Sequence, residues 1–119
     1  MKRSNTIDYV EFPSKNIPAT KAFFTAVFGW QFEDFGPNYT AFTDNKTKGG
    51  FYTSQKTSST NAGSPLIVLY SKDLEATQNQ IESAGGLVVQ PIFSFPGGSR
   101  FHFQEPGGNE LAVWTETHH

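Results

Sequence analysis

The sequence predicts an α+β fold: two β-α-β-β-β modules in one chain, forming curved sheets around a cavity. Three observations predict it. A weak internal repeat comes first. Asn16-Ile17-Pro18-Ala19-Thr20 is matched by Asp73-Leu74-Glu75-Ala76-Thr77, 57 residues later in a chain of 119, and self-similarity at a fixed offset signals a repeated unit. Each copy is also preceded by an apolar, strand-like segment and runs into a helical pattern that stops at Gly. Finally, each helical pattern is followed by short apolar runs separated by turn residues, as in antiparallel strands.

The elements follow in order. A strand is expected over Ile7 to Phe12. Asn16 suits the helix N-cap, and Pro18 an early helical position where its missing N–H costs nothing. Ala19, Ala22, Phe23, Ala26 and Val27 recur at helical spacing and make an apolar stripe, and Gly29 ends the helix. Strands are expected at Trp30 to Phe35, Tyr39 to Thr43 and Gly50 to Ser54. Gly36-Pro37-Asn38 and the stretch Asp44 to Lys48 separate them. Gln55 to Ser64 is rich in Ser, Thr and Asn and reads as an exposed linker. The second module opens with a strand at Leu66 to Tyr70. Asp73 caps a helix whose stripe is Leu74, Ile81 and Ala84, and Gly85-Gly86 ends it. Strands follow at Leu87 to Gln90, Ser99 to Glu105 and Glu110 to Glu116. Pro96-Gly97-Gly98 and Pro106-Gly107-Gly108-Asn109 separate those. The first module spans about 6–54 and the second about 65–116, in one domain.

Composition removes several classes of function. With no Cys, there is no disulfide framework, thiolate metal site or Cys nucleophile. A net charge of -2 argues against nucleic acid held through its phosphates. No apolar leader follows Met1, and the longest aliphatic run, Leu66 to Tyr70, is too short to cross a bilayer. A soluble, cytoplasmic protein without membrane contact is expected. The Gly-Gly pairs fit no phosphate-binding pattern, and no G-x-S-x-G is present. His118-His119 is either native or left from a tag, and no chemistry is assigned to it.

Strand alternation sorts the remaining candidates onto faces. On the first strand Ile7, Tyr9 and Glu11 share one face and Asp8, Val10 and Phe12 the other. On the seventh, Arg100, His102 and Gln104 oppose Phe101 and Phe103. On the eighth, Glu110, Ala112 and Trp114 oppose Leu111 and Val113. The apolar faces are expected to pack under the helices, and the mixed faces to line a cavity. His102 lies outside the C-terminal tail, and an ordinary imidazole titrates near 6.5, where acid–base chemistry is useful. Arg100 shares its face and suits a carboxylate. Tyr9, Tyr70 and Trp114 suit a flat ligand or simply fill a core. Glu11 and Glu110 either pair with Arg100 or Lys or stand in water. Together with His102 they also have the residue types of a non-standard metal site.

The order β-α-β-β-β twice, the segment IDYVEFPSKNIPATKAFFTAVFGWQFE and the ending RFHFQEPGGNELAVW resemble the vicinal oxygen chelate superfamily. This is the glyoxalase, bleomycin resistance protein and dioxygenase group, and it also holds fosfomycin resistance proteins. The likeness spans essentially the whole chain and is carried best by Phe23 to Trp30 and by the hairpin Pro106 to Asn109. It implies paired sheets around a small-molecule cavity, a homodimer, and in many members a divalent metal on His, Glu or Gln. Mapped one by one, the family's ligand positions fall on Tyr9, Leu66 and Ala112, with a fourth near Gly50 to Ser54 where no acid or His occurs. A metal-free binder of a small, partly aromatic molecule is therefore expected, with Tyr9, Tyr70, Arg100, Glu110 and Trp114 as ligand contacts. The alternative is a glyoxalase-like lyase or dioxygenase-family enzyme, with His102 and Glu11 as catalytic groups.

Overall fold

The computed structural model describes residues 2–117, so His118-His119 lies outside the described residues. The elements are β1 (Tyr9–Ser14), α1 (Ile17–Phe28), β2 (Gln31–Asp34), β3 (Tyr39–Thr43), β4 (Lys48–Thr53), β5 (Val68–Tyr70), α2 (Leu74–Ser83), β6 (Leu87–Phe95), β7 (Gly98–Gln104) and β8 (Glu110–Glu116). They form two four-stranded sheets, ordered β1-β4-β3-β2 and β5-β8-β7-β6. β1 runs parallel to β4 and β5 parallel to β8, and the other pairings are antiparallel. The predicted α+β repeat is therefore present, with the same topology in both halves.

The repeat reaches single hydrogen bonds. Asn16 accepts from the Ala19 amide at 3.1 Å, and Asp73 from the Ala76 amide at 3.0 Å. Ahead of each cap, a serine hydroxyl meets a helix threonine: Ser14 with Thr20 at 2.9 Å and Ser71 with Thr77 at 2.7 Å. The same serines accept from the cap amides, Asn16 and Asp73, each at 3.1 Å. These bonds satisfy helix-start groups that have no partner within the helix. Gly29 closes α1 at φ 69°, a left-handed conformation that costs other residues a steric penalty.

Three details differ from expectation. α1 buries Ile17, Thr20, Phe23 and Phe24, while Ala22 and Ala26 face outward. The alanines and Phe24 both fit a 3.6-residue period, and the larger apolar surface of Phe24 takes the core side. β6 runs on through Pro91 to Phe95 instead of stopping at Gln90. Pro is tolerated because β6 is an edge strand, and its pairing with β7 shifts register on both sides of Gln90. The 55–64 segment is also tied down: the Glu110 amide donates to the Ser58 carbonyl at 2.8 Å and the Ser58 amide to Asn109 Oδ1 at 2.9 Å.

The core is mainly aromatic and crosses both modules. Phe24 stacks on Trp30 at 4.3 Å, and Trp30 on Phe42 at 4.5 Å. Phe23 of the first module meets Phe103 of the second at 5.8 Å. Such pairs add about 0.5–1.5 kcal/mol each beyond the area they bury. Val10, Phe12, Phe101, Phe103, Leu111 and Val113 all join this cluster, as their strand faces predict.

A buried polar knot also joins the modules. Glu105, 1% exposed, accepts from the Thr20 hydroxyl at 2.8 Å, the Gly107 amide at 2.6 Å and Asn109 Nδ2 at 2.7 Å. Asn109 Nδ2 also donates to the Pro13 carbonyl at 2.6 Å. A Cβ on Gly107 would overlap the Thr20 and Ser14 hydroxyls, so glycine there lets the hairpin seat on the start of α1. Burial raises the Glu105 carboxyl above the ordinary range, and its donors only partly offset this.

Candidate functional site

The mixed faces carry the candidates, but on two different sheets. On the first sheet, register sets Tyr9 opposite Lys48, Glu11 opposite Gly50 and Gly50 opposite Ala41. Tyr39 reaches over Gly50 and donates to Glu11 Oε2 at 2.9 Å. Its oxygen lies 2.6 Å from the Tyr9 hydroxyl. The single phenolic hydrogen of Tyr39 is used on Glu11, so Tyr9 donates to Tyr39. A Cβ on Gly50 would overlap the Tyr39 hydroxyl, so the missing side chain makes the relay Tyr9 to Tyr39 to Glu11 fit. Burial, then the bonds to Tyr9 and Glu11, hold the Tyr39 phenol far above the ordinary tyrosine range.

On the second sheet, β7 and β8 present Arg100, His102, Glu110 and Trp114 on one side. His102 Nδ1 lies 2.7 Å from Glu110 Oε2. Glu110 also accepts from the Thr60 amide at 2.8 Å and the Thr60 hydroxyl at 3.0 Å. Burial pushes the Glu110 carboxyl up, but His102 and Thr60 outweigh it, and the net position is below the ordinary range. The carboxylate fixes the tautomer and orientation of the ring, as such partners do in acid–base sites. The far nitrogen, Nε2, is buried and has no hydrogen-bond partner. The Arg100 guanidinium lies over Phe93 at 5.3 Å and Phe95 at 5.8 Å. Trp114 contacts Tyr70 at 5.4 Å and Phe95 at 6.5 Å.

The strand faces are thus as expected, while several groupings differ. His102 finds its carboxylate in Glu110, across the β7–β8 hairpin, whereas Glu11 bonds to Tyr39 on the other sheet. Glu110 pairs with His102 and Thr60 instead of Arg100 or a lysine. The proposed metal set of Glu11, His102 and Glu110 is not assembled: among the described residues no three His, Asp or Glu side chains stand close enough to hold an ion. Tyr9 joins Tyr39 on the first sheet, while Tyr70 and Trp114 meet on the second. The sequence reading missed Tyr39, Thr60, Phe93 and Phe95. Alternation would have placed Tyr39 on the mixed face, but its reach to Glu11 depends on Gly50. Thr60 carried no signal in its Ser/Thr-rich segment.

The chain matches the model of the Glyoxalase/Bleomycin resistance protein/Dioxygenase superfamily over residues 6–113. No curated protein matches it. Among solved structures it resembles a fosfomycin resistance protein, FosX, from Listeria monocytogenes, complexed with Mn(II) and a dihydroxypropylphosphonic acid. That likeness has a TM-score of 0.79 at 11% identity and covers 97% of this chain and 93% of the other. A family enzyme from Burkholderia phytofirmans gives 0.77 at 15% identity, covering 93% and 100%. A lactoylglutathione lyase from Agrobacterium tumefaciens gives 0.71 at 16%, covering 95% of each chain. At these identities the likeness is one of fold.

A divalent metal of the kind such folds hold does not fit the residues at the mapped positions. Ala112 is buried and has no donor, and Leu66 has none. Gly50 has no side chain, and the Tyr9 hydroxyl is engaged by Tyr39. Hard and borderline divalent ions require several O or N donors converging on one point.

Proposed function

The chain belongs to the glyoxalase/bleomycin resistance protein/dioxygenase superfamily, and within it we propose that it binds a small, partly aromatic molecule on its mixed sheet faces without a divalent metal. One observation carries this reading. The side chains at the metal-ligand positions are replaced or engaged, while the β6–β7–β8 face keeps an aromatic wall of Phe93, Phe95 and Trp114 around two buried polar groups. Binding sites are typically apolar, with a few placed polar groups that fix orientation.

The reading includes a homodimer. Tyr9, Tyr52, Val68 and Tyr70 are 41–47% exposed in the single chain, and a second copy laid over these faces would close them into a cavity. A cytoplasmic location belongs to the same reading. No helix among the described residues is long and apolar enough to cross a membrane.

The test is calorimetric titration of the tail-free chain with Mn²⁺, Ni²⁺ and Zn²⁺, and separately with 2-naphthamide as a flat neutral probe. Saturable naphthamide binding that Trp114→Ala abolishes, with no tight metal uptake, supports the reading. Stoichiometric metal uptake overturns it.

The His102–Glu110 pair favours a second reading, a lyase or dioxygenase-family enzyme with His102 as acid or base. The 2.7 Å contact orients the ring and leaves Nε2 for a substrate proton. In that reading Glu110, not Glu11, is the orienting carboxylate.

A further inference from the structure

We propose that the β6–β7–β8 face holds the carboxylate of an aromatic acid between Arg100 and His102. The proposal deepens the binding reading above and rests on it.

Buried polar side-chain atoms are almost always hydrogen-bonded. Among the described residues three are buried without a partner: Arg100 Nε, His102 Nε2 and Thr115 Oγ1. Two of the three lie on this one face. Arg100 and His102 alternate along β7, which sets their Cα atoms about 6.6 Å apart on the same side. Arg100 Nε is always a donor, because guanidinium does not lose its proton in proteins. His102 Nδ1 is committed to Glu110, so only Nε2 is left to meet a ligand. On taking up a proton, the ring presents a second donor there. Two such donors on one strand face can both be satisfied by an acceptor with two oxygens.

Charge selects the kind of acceptor. Arg100 and Glu110 cancel while His102 is neutral. A carboxylate arriving with one proton on His102 leaves the net charge of the face unchanged, whereas a phosphate dianion would add a further negative charge beside Glu110. Glu116, also on this side of β8, is engaged by Tyr70 and keeps its negative charge, which weighs further against a dianion. The rings set the rest of the ligand. Phe93 and Phe95 hold the guanidinium in place at 5.3 and 5.8 Å. Trp114, 6.5 Å from Phe95, offers the surface for an aromatic body.

The experiment compares 2-naphthoate with its neutral isostere, 2-naphthamide, by calorimetry on the full chain. Naphthoate is expected to bind at least tenfold more tightly, as a charge-assisted hydrogen bond allows. Arg100→Met, which keeps the stem on Phe93 and Phe95, is expected to erase that advantage, weakening naphthoate at least tenfold more than naphthamide. His102→Gln should lower naphthoate affinity in the same selective way. If Arg100→Met does not fold, Arg100→Lys takes its place and should lose at least threefold more for naphthoate than for naphthamide. Equal binding of the two probes, or variants that weaken both alike, overturns the carboxylate site while leaving the aromatic binding reading intact. Failure of both probes to bind overturns the two together.

Discussion

Glu105→Gln tests how the second module is fastened to the first. Glu105 Oε1 accepts from the Thr20 hydroxyl and the Gly107 amide, and Oε2 from Asn109 Nδ2 at 2.7 Å. In the variant one oxygen becomes an NH2. If the remaining oxygen keeps Thr20 and Gly107, the new NH2 faces Asn109 Nδ2, donor against donor. A hydrogen bond to a charged group contributes about 1.5–3 kcal/mol, and a stranded buried donor costs about 1–3 kcal/mol. Part of this is offset, because the variant no longer buries a charge. The expected net loss is about 2 kcal/mol at pH 7 by urea unfolding, or roughly 8 °C in Tm for a chain of this size.

The pH dependence checks the cause. Burial holds the folded-state Glu105 above its ordinary value of 4.5, so the folded chain binds that proton more tightly than the unfolded chain. The resulting stabilisation is complete below 4.5 and is lost as pH rises through the folded value. Glutamine cannot titrate. The stability gap between the parent and the variant should therefore widen as pH falls from 8 to 4.5, with other groups cancelling in the difference. A gap that stays flat or narrows, or a loss below about 0.5 kcal/mol at pH 7, would refute the reasoning.

Two further outcomes are expected. Gly50→Ala places a methyl against the Tyr39 hydroxyl, the far end of a movable side chain. It should cost little stability, under about 1.5 kcal/mol, yet break the Tyr39–Glu11 bond. Ultraviolet titration should then show one tyrosine moved down toward the ordinary range, and an unchanged titration would count against the relay. His102→Ala removes a group that lowers the Glu110 carboxyl, so carbon-detected NMR should find Glu110 titrating higher than in the parent chain. Because Glu110 is depressed in the folded state, its stabilisation is present above its unfolded value and lost as pH falls through the folded one. The variant should therefore be less stable than the parent above that window, and the gap should close as pH falls through it. No movement of Glu110 would mean that Thr60 alone holds it.

Local chemistry made much of the molecule legible. Asn16 and Asp73 cap their helices because short polar side chains satisfy free amides at helix starts, and nothing distant need intervene. Gly29 ends α1 by a conformation that glycine adopts at no steric cost. Alternation alone separated Phe101 and Phe103 from Arg100 and His102, since a strand must turn successive side chains to opposite faces. The repeat at offset 57 then determined the α+β class and the topology of both halves.

Contacts between distant segments were decided only by tertiary structure. Which stripe of α1 faces inward depended on burying the Phe24 ring against Trp30 and Phe51, and periodicity by itself permits more than one answer. Glu11 met Tyr39 because strand register placed Gly50 between them, and no local pattern encodes that gap. His102 met Glu110, and Thr60 met both through Glu110, because the hairpin and the 55–64 segment fold onto one face. Propensity and alternation act over a few residues, so they determine what each element is and which way it faces. Partner choice depends on packing the whole chain, and so the chemistry of the candidate site belongs to the fold.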